Sequence, residues 1–267
     1  MEIVTSMQNP KVKSLLELQK KSQMRRKTGL FVVEGCREIA RCINSGYRVH
    51  TLFCCEDICG DAWRETAAKH VVHVSAYIYN KVAYRGGTEG MIAQVEAKER
   101  DLDSLQLPET PLVVVLESVE KPGNLGAVLR SADAAGVDAI IVCDPLTDLY
   151  NPNLIRSSTG AFFSVPCITC SSEDCINFLK QHKLRILTAQ LQDSQLYYDV
   201  DMTSGTAIVM GTEATGLTDV WREAADVHIR IPMLGITDSL NVSVSAAILM
   251  YEAVRQRKNP HKCGLRV

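Results

Sequence analysis

Two β-branched runs separated by one glycine-bounded helix constrain this chain more than any other feature. "PLVVVLESV" (111–119) is apolar on both alternations of a strand, which suits the middle of a sheet covered on both faces rather than a half-wet one. "GNLGAVLRSADAAG" (123–136) reads as a helix between glycines, and "VDAIIVCD" (137–144) is a second buried run. A strand, a helix and a strand at this spacing form a βαβ unit whose strands are parallel. The rhythm continues through a helix at 173–182, strands "LRILTAQL" (184–191), "TAIVMG" (206–211) and "VHIRIPM" (227–233), and an apolar terminal helix from 242. The expected architecture is α/β, a parallel sheet with helices on both faces.

The first hundred residues read as a smaller α/β unit. Leu15, Leu16 and Leu18 give the first helix an apolar side, "GLFVVEG" (29–35) is a short strand, and "CREIARCINSG" (36–46) is a helix closed by Gly46. "RVHTLFCCED" (48–57) and "GMIAQVEAK" (90–98) supply further strands. The polar, acidic stretch "ERDLDSLQLPETP" carries two prolines and marks a linker. The expected division is therefore 1–98, a linker at 99–111, and a larger domain at 112–267. No internal repeat or low-complexity segment interrupts it.

Charge is local. The chain's formal net charge of −2 excludes a uniformly basic nucleic-acid binder, yet Lys11, Lys13, Lys20, Lys21, Arg25, Arg26 and Lys27 fall within 17 residues against one acid, Glu17. Such a run is either a solvated helix face or a set of phosphate contacts. The N-terminal residues lack the apolar core of a signal peptide, and no apolar run reaches the roughly 18 residues of a membrane span, so a cytoplasmic protein is expected. The ten cysteines are diluted in 267 residues. Cys54, Cys55 and Cys59, and separately Cys167, Cys170 and Cys175, lack a second ligand pair or a nearby His, so they read as reduced thiols and no metal site is expected.

In parallel α/β sheets ligands collect at the carboxyl ends of strands, and three loops there are unusual. In "ESVEKPGNLGAVLR", Gly123 and Gly126 flank Asn124, and Arg130 follows about one helical turn after Gly126. Alone this is also compatible with a tight turn and a surface arginine. It does not supply the G-x-G-x-x-G of a dinucleotide fold, which disfavours an oxidoreductase with Asp144 on a ribose. In "MGTEATGL" (210–217), Gly211 and Gly216 flank Glu213. In "IPMLGITDSLNVSVSAAI" (231–248), Pro232 and Gly235 fix an irregular path and Ser239 and Asn241 precede the helix. Capping accounts for one of those two polar residues.

Together these loops resemble the three signature motifs of the SpoU (TrmH-like) RNA ribose 2'-O-methyltransferases of the SPOUT superfamily. Asn124, Gly126 and Arg130 match the first motif, Gly211, Glu213 and Gly216 the second, and the stretch from Ile231 the third; "IRSSTGAFFSVP" (155–166) is similar to the intervening segment. Thr212 stands where many members have Asn, and Ser245 where many have Ala. "SMQNPKVKSLLELQKKSQMRRKTGLFVVEG" resembles the opening of the family's ribosomal-protein-like substrate-binding domain, which moves the basic run toward RNA contact.

The resemblance implies a deep trefoil knot in the C-terminal domain, S-adenosylmethionine as cofactor, an RNA substrate and a homodimer formed by the catalytic domain, with no membrane or DNA partner. It implies Arg130 as the catalytic arginine, with Asn124, Glu213, Ser239 and Asn241 around the reacting ribose. The cofactor would be held by Gly211, Ile231 and Leu240, with Thr212 and Met233 nearby. Ribosomal RNA is favoured over transfer RNA by the N-terminal likeness. The alternatives are a transfer-RNA methyltransferase and a non-catalytic RNA-binding assembly factor.

Overall fold

Continuous burial, not alternation, distinguishes the central strands. The computed structural model describes residues 3–84, 89–212 and 215–258. The chain divides into two compact units, Met1–Glu99 with Asp148–Ser164, and Arg100–Thr147 with Val165–Val267.

The first unit runs β1 (Ile3–Val4), α1 (Pro10–Lys20), α2 (Ser22–Thr28), β2 (Leu30–Glu34), α3 (Cys36–Asn44), β3 (Val49–Cys54), α4 (Glu56–Cys59), β4 (Ala68–Val74), α5 (Ala76–Val82) and β5 (Met91–Glu96). Its mixed sheet has the order β1-β4-β3-β5-β2, with β1, β4 and β3 parallel and β5 antiparallel to both β3 and β2. Asn9 caps α1 by accepting from the Lys11 amide, Pro10 occupies the first helical turn, and Val12, Leu15 and Leu18 are the buried stripe. Gly29 ends α2 in the left-handed region at φ 64°, where a side chain would be strained. Residues from much later in the chain complete this unit: the Tyr150 ring lies 4.4 Å from that of Phe31, and Phe163 packs edge-on against Tyr47 at 5.3 Å.

The second unit opens with β6 (Leu112–Glu117), α6 (Pro122–Ala135) and β7 (Ala139–Cys143). The chain then lends α7 (Pro152–Ser157) and α8 (Ala161–Ser164) to the first unit. It resumes with β8 (Cys167–Cys170), α9 (Ser172–Gln181), β9 (Arg185–Ala189), β10 (Gln195–Leu196), β11 (Thr206–Met210), α10 (Asp219–Ala224), β12 (Val227–Arg230) and α11 (Val242–Arg257). All pairings are parallel in a seven-stranded sheet of order β10-β12-β9-β11-β6-β7-β8. Every residue of β6, β7 and β11 is buried, which explains their β-branched composition. On one face Val113, Ile141, Phe178, Leu179 and Trp221 share a core; on the other α11 packs on α6 and β11.

The parallel α/β architecture expected from the runs is present. Boundaries differ where local chemistry prevails: α6 begins at Pro122, whose missing amide hydrogen is no loss at a first helical position, and the strand expected to reach 233 ends at Arg230, before Pro232. The strands at Ala68–Val74 and Cys167–Cys170 had no counterpart in the sequence reading; the polar "AKHVVHV" and the four-residue "CITC" carry weak patterns of their own.

Candidate active site

The segment after β11 is shaped by close backbone approach. A Cβ on Gly211 would run into the carbonyl group of Gly216, so residue 211 is confined to glycine for steric reasons. Thr212 and Gly216 exchange backbone hydrogen bonds of 3.2 and 3.0 Å, and Gly216 sits at φ 70°. The Thr212 hydroxyl accepts from the Thr215 amide at 3.0 Å and pairs with the Thr215 hydroxyl at 2.8 Å. Thr212 thus holds the turn together. Glu213, expected here as a site carboxylate, lies outside the described residues.

The segment after β12 meets the start of α6 through an amide. The Asn241 Oδ1 caps α11 by accepting from the Ser243 amide at 3.0 Å and from the Ser243 hydroxyl at 2.6 Å. Its Nδ2 donates to Asn124 Oδ1 in the first turn of α6 at 3.2 Å. One side chain therefore ends a loop, starts a helix and links the first motif to the third. Ser239 is exposed and donates to the Asp238 carboxylate at 3.1 Å.

Three adjoining cavities run along these segments. One of about 250 Å³ is lined by Asn124, Lys121, Gly211, Thr212 and Val242. A second, of about 300 Å³, shares Gly211, Thr212 and Val242 with it and adds Leu191, Ser239 and Leu240. A third of about 140 Å³ shares Leu191, Ser239 and Leu240 with the second and extends past Ile231 and Met233. All five residues expected around the cofactor line this continuous series, as do Asn124 and Ser239. Arg130 does not. It is exposed on α6, about 9 Å along the axis from Asn124, and has no ion pair among the described residues.

Three contributors were missed from sequence. Glu117, the last residue of β6, is 3% exposed; its carboxylate accepts from the Thr218 amide at 2.9 Å and the Thr218 hydroxyl at 2.6 Å, which fastens the end of β6 to the residue preceding α10. Its signal was a carboxylate terminating an otherwise apolar run. Gln190 and Leu191, just past β9, line two of the cavities; position at a strand's carboxyl end was the only cue.

The basic run divides. Lys11, Lys13, Lys20, Lys21, Arg26 and Lys27 are exposed on α1, α2 and their junction. Arg25, expected among the RNA contacts, is 5% exposed: Nε donates to Asp148 at 2.6 Å and Nη1 to the Leu18 carbonyl at 2.5 Å. That guanidinium is committed to the interior of its own unit, so its assignment to RNA is corrected to a structural one.

Comparison with known proteins now adds to this geometry. The family model described as the SpoU rRNA methylase family matches residues 111–251, and an MRM3-like substrate-binding domain matches residues 9–93. The chain belongs to the SpoU rRNA methylase family. It is an S-adenosylmethionine-dependent RNA ribose 2'-O-methyltransferase. Among its relatives is the 23S rRNA (guanosine(2553)-2'-O)-methyltransferase RlmP of Bacillus subtilis, 28% identical over 94% of this chain and 98% of that protein. A crystal structure described as an RNA 2'-O ribose methyltransferase is 38% identical, with a TM-score of 0.84 over 96% of this chain and 99% of its own. An S-adenosylmethionine-bound rRNA methyltransferase from Sinorhizobium meliloti is 27% identical, with a TM-score of 0.86 over 97% and 99% of the two chains.

Proposed function

We propose that this methyltransferase acts on 23S ribosomal RNA as a cytoplasmic homodimer, with residues 1–98 binding RNA and residues 112–267 carrying the chemistry. The observation that carries the active-site reading is the Asn241–Asn124 hydrogen bond at a cavity series bounded by all three motif segments. The ribosomal-RNA assignment draws on the function of the RlmP relative and on the match to a substrate-binding domain.

The cavity chemistry fits the cofactor. Apolar walls from Leu191, Leu240, Ile231 and Met233 suit adenine, while the backbone at Gly211, kept free of any side chain, leaves polar main-chain atoms near the ligand. S-adenosylmethionine supplies an electrophilic methyl group on a sulfonium sulfur. The protein must hold the ribose hydroxyl in line and help it lose a proton. In this reading Asn124, Ser239 and Asn241 orient the ribose, and Glu213 anchors a polar loop group or the arginine. Arg130 stabilises charge developing on the hydroxyl oxygen or holds the neighbouring phosphate. Its exposure on α6 supports a reading in which the RNA lies over that helix.

The trefoil knot belongs to the same proposal, supported by the shared walls of the segments that the family threads together. Homodimerisation is supported by apolar surface in the catalytic unit: Leu234 and Ile236 are fully exposed, and Val244 and Tyr251, seven residues apart, share one face of α11. No described helix is long and apolar enough to cross a membrane.

Labelled methyl transfer to unmodified total RNA, separated into ribosomal and transfer fractions, tests the assignment. Label is expected in 23S RNA as alkali-resistant 2'-O-methyl ribose and is expected to vanish with Arg130→Ala. Label confined to transfer RNA would overturn the substrate assignment.

A further inference from the structure

Cys170 and Cys175 are joined in space by a third thiol that no sequence spacing indicated. Cys143 ends β7, Cys170 ends β8, and the two are direct partners in the parallel ladder. Cys175 lies in the first turn of α9, behind its Ser171 cap. The three sulfur atoms all lie within 4.8 Å of one another. We propose that Cys143, Cys170 and Cys175 form a three-thiolate site for a divalent thiophilic cation, zinc being the one the chemistry favours.

The geometry needs little adjustment. Zinc–sulfur bonds of about 2.3 Å in a tetrahedral shell put sulfurs about 3.8 Å apart, so no separation here has to close by more than about 1 Å. Cys143 and Cys175 are buried in the core with Trp221, which fixes their positions, whereas Cys170 is half-buried and opens a route for entry and a fourth position for water. Charge selects the valence. Asp144 and Asp174 add negative potential beside the thiols, favouring a divalent over a monovalent soft ion. Their carboxylates are held, Asp144 by the Ser172 amide and hydroxyl at 3.2 and 2.6 Å and Asp174 by the Ser171 hydroxyl at 2.6 Å. Binding displaces the thiol protons to solvent, with no change of oxidation state. The ion would clamp the carboxyl ends of β7 and the edge strand β8 to α9 through three residues that line none of the three cavities above.

The test uses the full-length protein, reduced with a phosphine, titrated with cadmium as a spectroscopic stand-in and then with zinc. One cadmium per chain is expected, with an ultraviolet thiolate charge-transfer band of three-sulfur intensity. In Cys170→Ser, the half-buried member best able to fold, the band should lose about a third of its intensity. Its zinc affinity should fall at least about tenfold, judged by what weaker outer-shell changes already cost. Zinc should raise the melting temperature of the parent protein but not of Cys170→Ser, with circular dichroism checking the fold of both. A Cys36→Ser/Cys59→Ser variant should keep the full band. A band undiminished in Cys170→Ser, a band lost with Cys36 and Cys59, or no stoichiometric binding at all would each overturn the site and leave three ordinary core thiols.

Discussion

Asn241 spends one amide on two neighbours, and its two ends can be separated by mutation. Alanine removes both the cap of α11 and the donor to Asn124, so Asn241→Ala is expected to cost about 1 kcal/mol of stability together with turnover. Aspartate keeps an acceptor for the Ser243 amide and hydroxyl but cannot donate to Asn124 Oδ1. Asn241→Asp should therefore melt like the parent protein while methyl transfer falls, a split read by thermal melts beside single-turnover assays. Arg130→Ala is expected to lower kcat by about 100-fold with cofactor affinity unchanged by isothermal titration, since Arg130 lines none of the cavities. Retained turnover would remove it from the catalytic set. The polar residues of the third motif were legible because Ser and Asn before an apolar helix exceed what capping requires. Glu117 was not, because the value of a carboxylate at a strand's end depends on Thr218, a hundred residues away.

The basic element pair α1–α2 illustrates how helix faces sort like charges. Arg25→Ala strips a buried partner from Asp148 and should cost about 3 kcal/mol, visible as a lower denaturation midpoint. A Lys20→Ala/Lys21→Ala variant should leave stability nearly intact, yet reduce the salt slope of RNA affinity by about 1.5. Equal effects on RNA binding without loss of stability from both changes would refute the division. In α11, Glu252 accepts from Arg255 at 2.8 and 2.7 Å and from Gln256 at 2.7 Å, and the Arg255 hydrogen bond foremost holds its carboxyl below the ordinary range. A depressed carboxylate stabilises the fold above the unfolded-state value of about 4.3 and ceases to do so as pH falls through the folded value. Acid unfolding followed at the α11 end should therefore become shallower in Glu252→Gln. Elements with strong internal pattern, β6, β7, β11 and α11, were readable from sequence. The strand of Cys167–Cys170 was not, because four residues carry too little periodicity and its place comes from pairing with β7.

At the scale of the molecule, exposed Leu234, Ile236 and the Val244–Tyr251 face of α11 make a prediction about assembly. Light scattering at micromolar concentration should give twice the chain mass, and Tyr251→Glu should shift the distribution toward single chains; a strictly monomeric parent protein would contradict the dimer. The division into units carries a different consequence. Tyr150 and Phe163 are encoded inside the stretch matched to the methylase family, yet in the first unit the Tyr150 ring packs with Phe31 and the Phe163 ring with Phe31 and Tyr47. Exchange of the first hundred residues by a single genetic crossover would hand the newcomer a core shaped for someone else's aromatic rings. Inheritance of a new RNA-binding unit in such a protein therefore requires two coordinated replacements, or slow change of both segments together.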